Sequence, residues 1–286
     1  MGAIFIATLY KLLNPRKVII YLLAVSLVSA LAALLIKYLF GSSNLQGQII
    51  TYTSFFVGLS FFWILGLPLV LWICWQGVGL IAGEKEEGTL LLLLSKPLTR
   101  KQILWAKLLA LLLSAPLLGE CTLFLSLMSM TLFIFPDDQI TFMILKYFPY
   151  LSLYLLFITV CYSILSTGLS VWNKPRKKIR GGLLCLILIL YLILPGLRLI
   201  AEYILHIPIE YSWGNWLIYF SYLDLNTHLY TVFAYFLNLA GSVSLSPVLA
   251  IEPLLSPFVI LVIWLAACLL FLNIALRYFD NLEILS

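Results

Sequence analysis

An all-helical, polytopic membrane protein with about six bilayer crossings is the fold class this sequence predicts, from three observations. Hydrophobic residues make up 63% of the chain and charged residues 10%, with a mean hydropathy of +1.10; soluble domains carry about a quarter of their residues as charges. Several windows supply the roughly 20 apolar residues that a helix needs to cross the hydrocarbon core. The Lys and Arg residues, finally, are sorted into particular connections instead of being spread along one face. That sorting sets topology and gives no sign of nucleic-acid binding, despite a net charge of +5.

In the opening segment, 1–16, Ile4, Phe5, Leu9, Leu12 and Leu13 fall at helical spacing opposite Thr8, Lys11 and Asn14. This suits a helix lying in the membrane interface until Pro15 stops it. Pattern alone leaves open a disordered tail, and also a signal peptide cleaved near Ala32, although the apolar run to Phe40 is long for a leader. Spans are expected at 18–40, 52–82, 102–134, 147–172, 181–205 and 254–278, all in one transmembrane domain. The uncharged turn 41–48 joins the first two spans. Gly79 and Gly83 close the second with a Gly-x-x-x-Gly step, which permits close helix packing. Pro116 is placed to kink or divide the third, which is longer than one crossing. Pro136-Asp137-Asp138 marks an outer loop, the densest basic cluster (NKPRKKIR) fills 173–180, and a long segment, 206–253, precedes the last span.

Lys and Arg accumulate on the cytoplasmic side of short loops. Lys11, Arg16 and Lys17 fall on one side, with Lys85, Lys96, Arg100, Lys101 and Lys107, then Lys174, Arg176, Lys177, Lys178 and Arg180, and finally Arg277; only Lys37, Lys146 and Arg198 are left for the other. Both termini are thus expected in the cytoplasm, and 84–107 becomes the first cytoplasmic loop.

Membrane catalysis would need polar groups at working depth. The five cysteines (Cys74, Cys121, Cys161, Cys185, Cys268) lie singly in apolar runs and suggest neither disulfides nor a zinc site. His206 and His228 have no metal-binding spacing. Glu120 and Arg198 are the notable intramembrane charges, each roughly 26 Å from the cytoplasmic end of its span at 1.5 Å per residue. They could pair with each other; equally, Arg198 could pair with Glu202 one turn along its own helix while Glu120 faces a watery cavity or another subunit. Trp213, Trp216, Tyr219, Phe220 and Tyr222 belong to an aromatic outer segment. Its rings suit helices anchored in the outer interface, or an outer gate for an amphipathic substrate.

The loop 84–107 reads EKEEGTLLLLLSKPLTRKQILWAK. Thr89 can serve as an N-cap, the leucines of 90–94 supply an apolar face, Lys96-Pro97 ends the short helix, and a second helix starts at Thr99. A short leucine-faced helix can fill a groove on a partner while Glu84, Glu86, Glu87, Lys96, Arg100 and Lys101 set its orientation by rim ion pairs. Equally, its leucines could rest among lipid headgroups. No Gly-x-x-x-x-Gly-Lys-[Ser/Thr] occurs, so any ATP that drives this chain binds elsewhere.

Glu84, Gly88-Thr89-Leu90, Leu93-Leu94-Ser95, Pro97-Leu98-Thr99-Arg100, Ile103-Leu104 and Lys107 stand in the order found in the type-2 family of ATP-binding-cassette exporter permeases. The chain resembles that family, with Ala106 where the family usually has glycine. The resemblance implies that Glu84, Glu86, Glu87, Gly88, Thr89, Leu90, Leu93, Leu94, Ser95, Pro97 and Arg100 form a coupling helix and its flanks, docked on a separate nucleotide-binding subunit. It also implies two permease chains, alike or different, and two such subunits. No cofactor is expected on this chain; ATP and magnesium belong to the partner, and the membrane is expected to be the prokaryotic plasma membrane. An ion-driven secondary transporter, a membrane enzyme and a scaffold subunit are the competing readings. The first would usually show mid-membrane carboxylates and matching broken helices in two halves.

Overall fold

Helix follows helix throughout the residues that the structure, a computed structural model, describes: 1–40, 45–95, 98–133, 138–172, 175–193 and 257–281. They form α1 (Gly2–Leu12), α2 (Pro15–Phe40), α3 (Leu45–Leu59), α4 (Leu67–Val78), α5 (Glu84–Glu86), α6 (Thr89–Leu94), α7 (Arg100–Phe133), α8 (Asp138–Val171), α9 (Arg176–Leu188) and α10 (Pro257–Asp280). No strand occurs among the described residues. Five stretches among them are long and apolar enough to cross a membrane: Pro15–Leu39, Thr51–Glu86, Arg100–Thr131, Ile144–Val171 and Leu261–Asp280. The span expected at 181–205 begins within α9 and continues past Ile193 outside the described residues, as does the whole outer segment 206–253 with Trp213, Trp216, Tyr219, Phe220 and Tyr222.

Pro15 acts as the start of α2 as much as the end of α1. The Arg16 N–H donates to Asn14 Oδ1 at 3.2 Å, so Asn14 caps a helix whose first residue has no N–H to leave unsatisfied. A reciprocal cap starts α7. Thr99 Oγ1 accepts from the Gln102 N–H at 3.3 Å, and Gln102 Oε1 accepts from the Thr99 N–H at 3.1 Å. Thr99→Ala should cost about 1 kcal/mol, read as a lower thermal midpoint of the purified chain in detergent.

The second crossing is broken in mid-course. A π-type turn, Ser60–Ile64, draws the Leu65 N–H to Ser60 O at 2.9 Å, and α4 restarts after Gly66 with Pro68 in its first turn. The Phe61 carbonyl accepts from the buried Tyr154 hydroxyl at 3.1 Å, and the two rings meet edge to face at 4.4 Å between centroids. Gly66 is required sterically: a Cβ there would lie 2.2 Å from Phe62 O and 2.3 Å from Phe61 O.

Pro116 lies inside α7, and Pro149 inside α8, without ending either helix. Neighbouring helices re-satisfy backbone groups freed by proline within a bundle. The main core joins α3, α4, α7, α8 and α9, with α8 touching α3, α4, α7 and α10. The hydroxyls of Ser29, Ser60, Ser114, Thr122, Ser166 and Ser170 bond carbonyls of their own helix, whereas those of Thr53, Thr159, Ser163 and Thr167 have no partner among the described residues. Ser126 instead reaches Ser29 of α2 at 3.3 Å. Glu120 is half-buried on α7, whereas Arg198 and Glu202 lie outside the described residues.

Candidate functional site at the 84–101 loop

At one end of the bundle α4 runs through a second π-type turn, Gly79–Gly83, directly into α5. The Glu87 N–H still bonds Gly83 O at 3.0 Å, and the Gly88 N–H bonds Lys85 O at 3.2 Å. Gly88 then takes φ +72, the left-handed conformation that ends a helix at little cost only for glycine. The chain reverses there into α6. Thr89 is the first residue of α6, and its hydroxyl donates back to Glu84 O at 3.3 Å. This corrects the N-cap expected of Thr89: the reversal at Gly88 sets the hydroxyl against a carbonyl, which can only accept.

The leucine face is turned inward where it can be described. Leu90 is 2% exposed, packed among Ile81, Leu104 of α7, Val171 at the end of α8 and Phe279 at the end of α10. Leu93 is half-buried against the cluster of Ile4 of α1 with Ile103 and Ala106 of α7. These two leucines therefore seat α6 on its own bundle, where removing Leu90 from water is worth about 2 kcal/mol. The side chain of Leu94, with those of Leu91 and Leu92, and the structure of Pro97 lie outside the described residues. Glu86, Glu87, Gly88, Thr89 and Ser95 are exposed. Ala106, where the resembled pattern has glycine, is fully buried in contact with α1.

Beneath the loop Lys107 is 1% exposed, and its Nζ donates to Leu80 O at 2.6 Å and to a carboxylate oxygen of Glu84. Glu84, with its side chain only 14% exposed, is thus an inner strut and not the rim charge expected of it. The physical reason is desolvation: a buried ammonium has to find an anion and acceptors nearby. Lys107, at the foot of an apolar run, was the sequence signal for such a partner.

Arg100 also turns away from the rim. Its Nη1 donates to Phe279 O at 3.3 Å and Asp280 O at 3.0 Å, while Lys101 pairs with Asp280 at 2.7 Å. Cations at a helix C-terminus satisfy carbonyls that have no intrahelical donor.

The loop's other flank meets the basic segment at the start of α9. The Arg176 N–H donates to Glu86 Oε1 at 2.7 Å, its guanidinium lies 3.9 Å from Glu87, and Arg180 donates to Trp75 O at 2.9 Å with its head 4.0 Å from the centre of the indole. A Cβ on Gly83 would touch Arg176 at 3.3 Å, and one on Gly79 would lie 3.4 Å from it. The Gly-x-x-x-Gly step therefore makes room for guanidinium groups in addition to helix backbone. Burial and neighbouring Arg176 pull Arg180 down to about 10, with Glu86 opposing, and it stays charged at neutral pH.

No curated protein matches the chain. The family model described as "ABC-2 family transporter protein" matches residues 3–284, nearly the whole chain. With five described membrane-length helices beside that match, the chain belongs to the ABC-2 transporter family and is an integral, multi-pass permease of that family.

Proposed function

We propose that this chain is the membrane-spanning subunit of an ATP-binding-cassette exporter and that a separate ATPase subunit docks on the 84–101 loop. One observation carries the reading. The loop has an exposed ridge, Glu86 to Thr89 with Ser95, on a base fixed to α1, α7, α8 and α10. An exposed polar ridge on such a base can receive a push and pass it on; a loop resting in lipid has no use for four anchors. Arg100, Lys101, Arg176 and Arg180 gather at this end of the bundle, which supports a cytoplasmic orientation.

In this reading ATP and magnesium act on the partner, and two permease chains with two ATPase subunits form the working unit. Closure of the ATPase pair displaces the ridge. The displacement enters α4 through the continuous turn at Gly83–Glu84, α7 through Lys107, and the ends of α8 and α10 through Val171 and Phe279. Rocking of these helices then exchanges an inward-open for an outward-open pathway. An ion-driven transporter usually carries carboxylates at mid-membrane, whereas the groups that meet at the break in the second crossing are the rings of Phe61 and Tyr154.

Reversing Glu86 and Glu87 together to lysine should weaken co-purification of the ATPase subunit by about tenfold or more, since like charges then face each other across the rim. The double variant also gives up the Glu86 and Glu87 contacts to Arg176, so the isolated chain should lose several degrees of thermal midpoint, and co-purification is compared at a temperature where it remains folded. Undiminished co-purification removes the ridge from the interface. ATP-independent transport by the isolated chain in liposomes would overturn the exporter reading altogether.

A further inference from the structure

A cavity of about 220 Å³ opens between α1 and the base of the loop, and nothing in the coupling reading uses it. Its wall on one side is the α1 face bearing Ala3, Ala7 and Lys11, spaced a turn apart; across it stand Leu93, Glu84 and Lys107. Three features define what it can hold. Ala3 and Ala7 are exposed, so the cavity is open on the α1 side, and the Lys107 side chain, itself 1% exposed, forms part of its inner lining. Lys107 has two acceptors among the described residues, Leu80 O and Glu84, for its three protons. Among the described residues the third has no acceptor, and the Lys107 side chain belongs to the cavity lining. The charges are two cations, Lys11 and Lys107, against one anion, Glu84, so a single negative charge completes the balance.

The volume is below the ~300 Å³ at which pockets begin to enclose drug-sized ligands, and it has room for a small anionic group. α1 packs on the first turns of α7 and leads directly into the first crossing, which sets the opening at the level of the headgroups. The geometry points to a phospholipid site: the phosphate of a headgroup enters between Ala3 and Ala7, is held by Lys11 at the mouth and Lys107 at the floor, and leaves its acyl chains along α1. A phosphate there competes with Glu84 for Lys107, so the lipid bears directly on the strut that fixes the loop.

The test uses the full chain in detergent, native mass spectrometry and three probes: phosphatidylglycerol, diacylglycerol without a headgroup, and inorganic phosphate. Wild type should retain one phosphatidylglycerol, and Lys11→Gln should retain it about tenfold less, as follows from losing one charged hydrogen bond. Ala7→Leu, which fills the mouth, should match that loss, and Lys11→Arg should restore binding. Thermal midpoints measured without lipid should be equal for all four proteins, which separates lost binding from misfolding at these exposed positions. Equal retention by wild type, Lys11→Gln and Ala7→Leu overturns the site, as does diacylglycerol bound as tightly as phosphatidylglycerol. Inorganic phosphate bound by wild type and lost in Lys11→Gln, with no lipid retained, upholds the phosphate site and overturns its lipid source. These readouts need no ATPase and no transport, so they stand or fall apart from the proposed function.

Discussion

Lys107→Met is expected to destabilise the chain by about 3–5 kcal/mol, the cost of leaving a largely buried carboxylate without its cation. Glu84 would be the stranded group, its side chain 14% exposed beneath the loop. Glu84→Gln should be costly for the reciprocal reason, since the ammonium would keep Leu80 O as acceptor but lose its counter-charge. The double variant Glu84→Gln with Lys107→Met should recover most of either loss, because an ion pair replaced as a whole is often nearly neutral. Thermal unfolding of the four proteins in one detergent measures this as a double-mutant cycle. A double variant no more stable than the worse single would mean that the pair is not the source of the effect. Transport by the double variant, if it folds, isolates the mechanical role of the strut from its contribution to stability.

Gly66→Ala should be more damaging than its chemistry suggests. A Cβ would lie 2.2 and 2.3 Å from two carbonyl oxygens of the backbone, which cannot swing aside as a side chain can. The π-type turn would have to rewind or the crossing straighten, taking Phe61 away from Tyr154. The expected loss is at least ~4 kcal/mol, in the range reserved for buried steric conflict, and folded yield should collapse. Gly58→Ala, one helix earlier, is the control: nothing lies within 4 Å of its Cβ, and alanine should be tolerated or should stabilise by up to ~1 kcal/mol. Monodisperse yield on size exclusion distinguishes the two. Equal yields from both variants would show that the break can be rewound cheaply.

Sequence patterns carried the membrane class and the special character of 84–107, because hydropathy over 20-residue windows and charge sorting are averages that survive local error. Facing directions were harder to read. In a six-residue helix of a threonine and leucines, no polar residue marks the solvent side, so nothing in the run says that Leu90 points at Phe279. The partners of Glu84 and Arg100 come from Lys107 and the end of α10, and separations of 23 and about 180 residues leave no periodic trace. Gly66 and Pro68 were silent for another reason: glycine and proline are common within membrane helices, and only tertiary packing decides whether they break one. Gly79 and Gly83 were visible as small residues that permit close approach. What approaches, Arg176 from beyond two further crossings, depends on the bundle's assembly and not on the step itself.

The burial of Leu90 in one cluster with Phe279 also sets a timetable. Phe279 is added to the nascent chain about 190 residues after Leu90, on the order of 10–40 s later at ordinary synthesis rates. Until α10 inserts, the pocket that receives Leu90 lacks a wall, and Arg100 lacks the two carbonyls at the end of that helix. The ridge therefore gains the last of its described anchors only after α10 has been made.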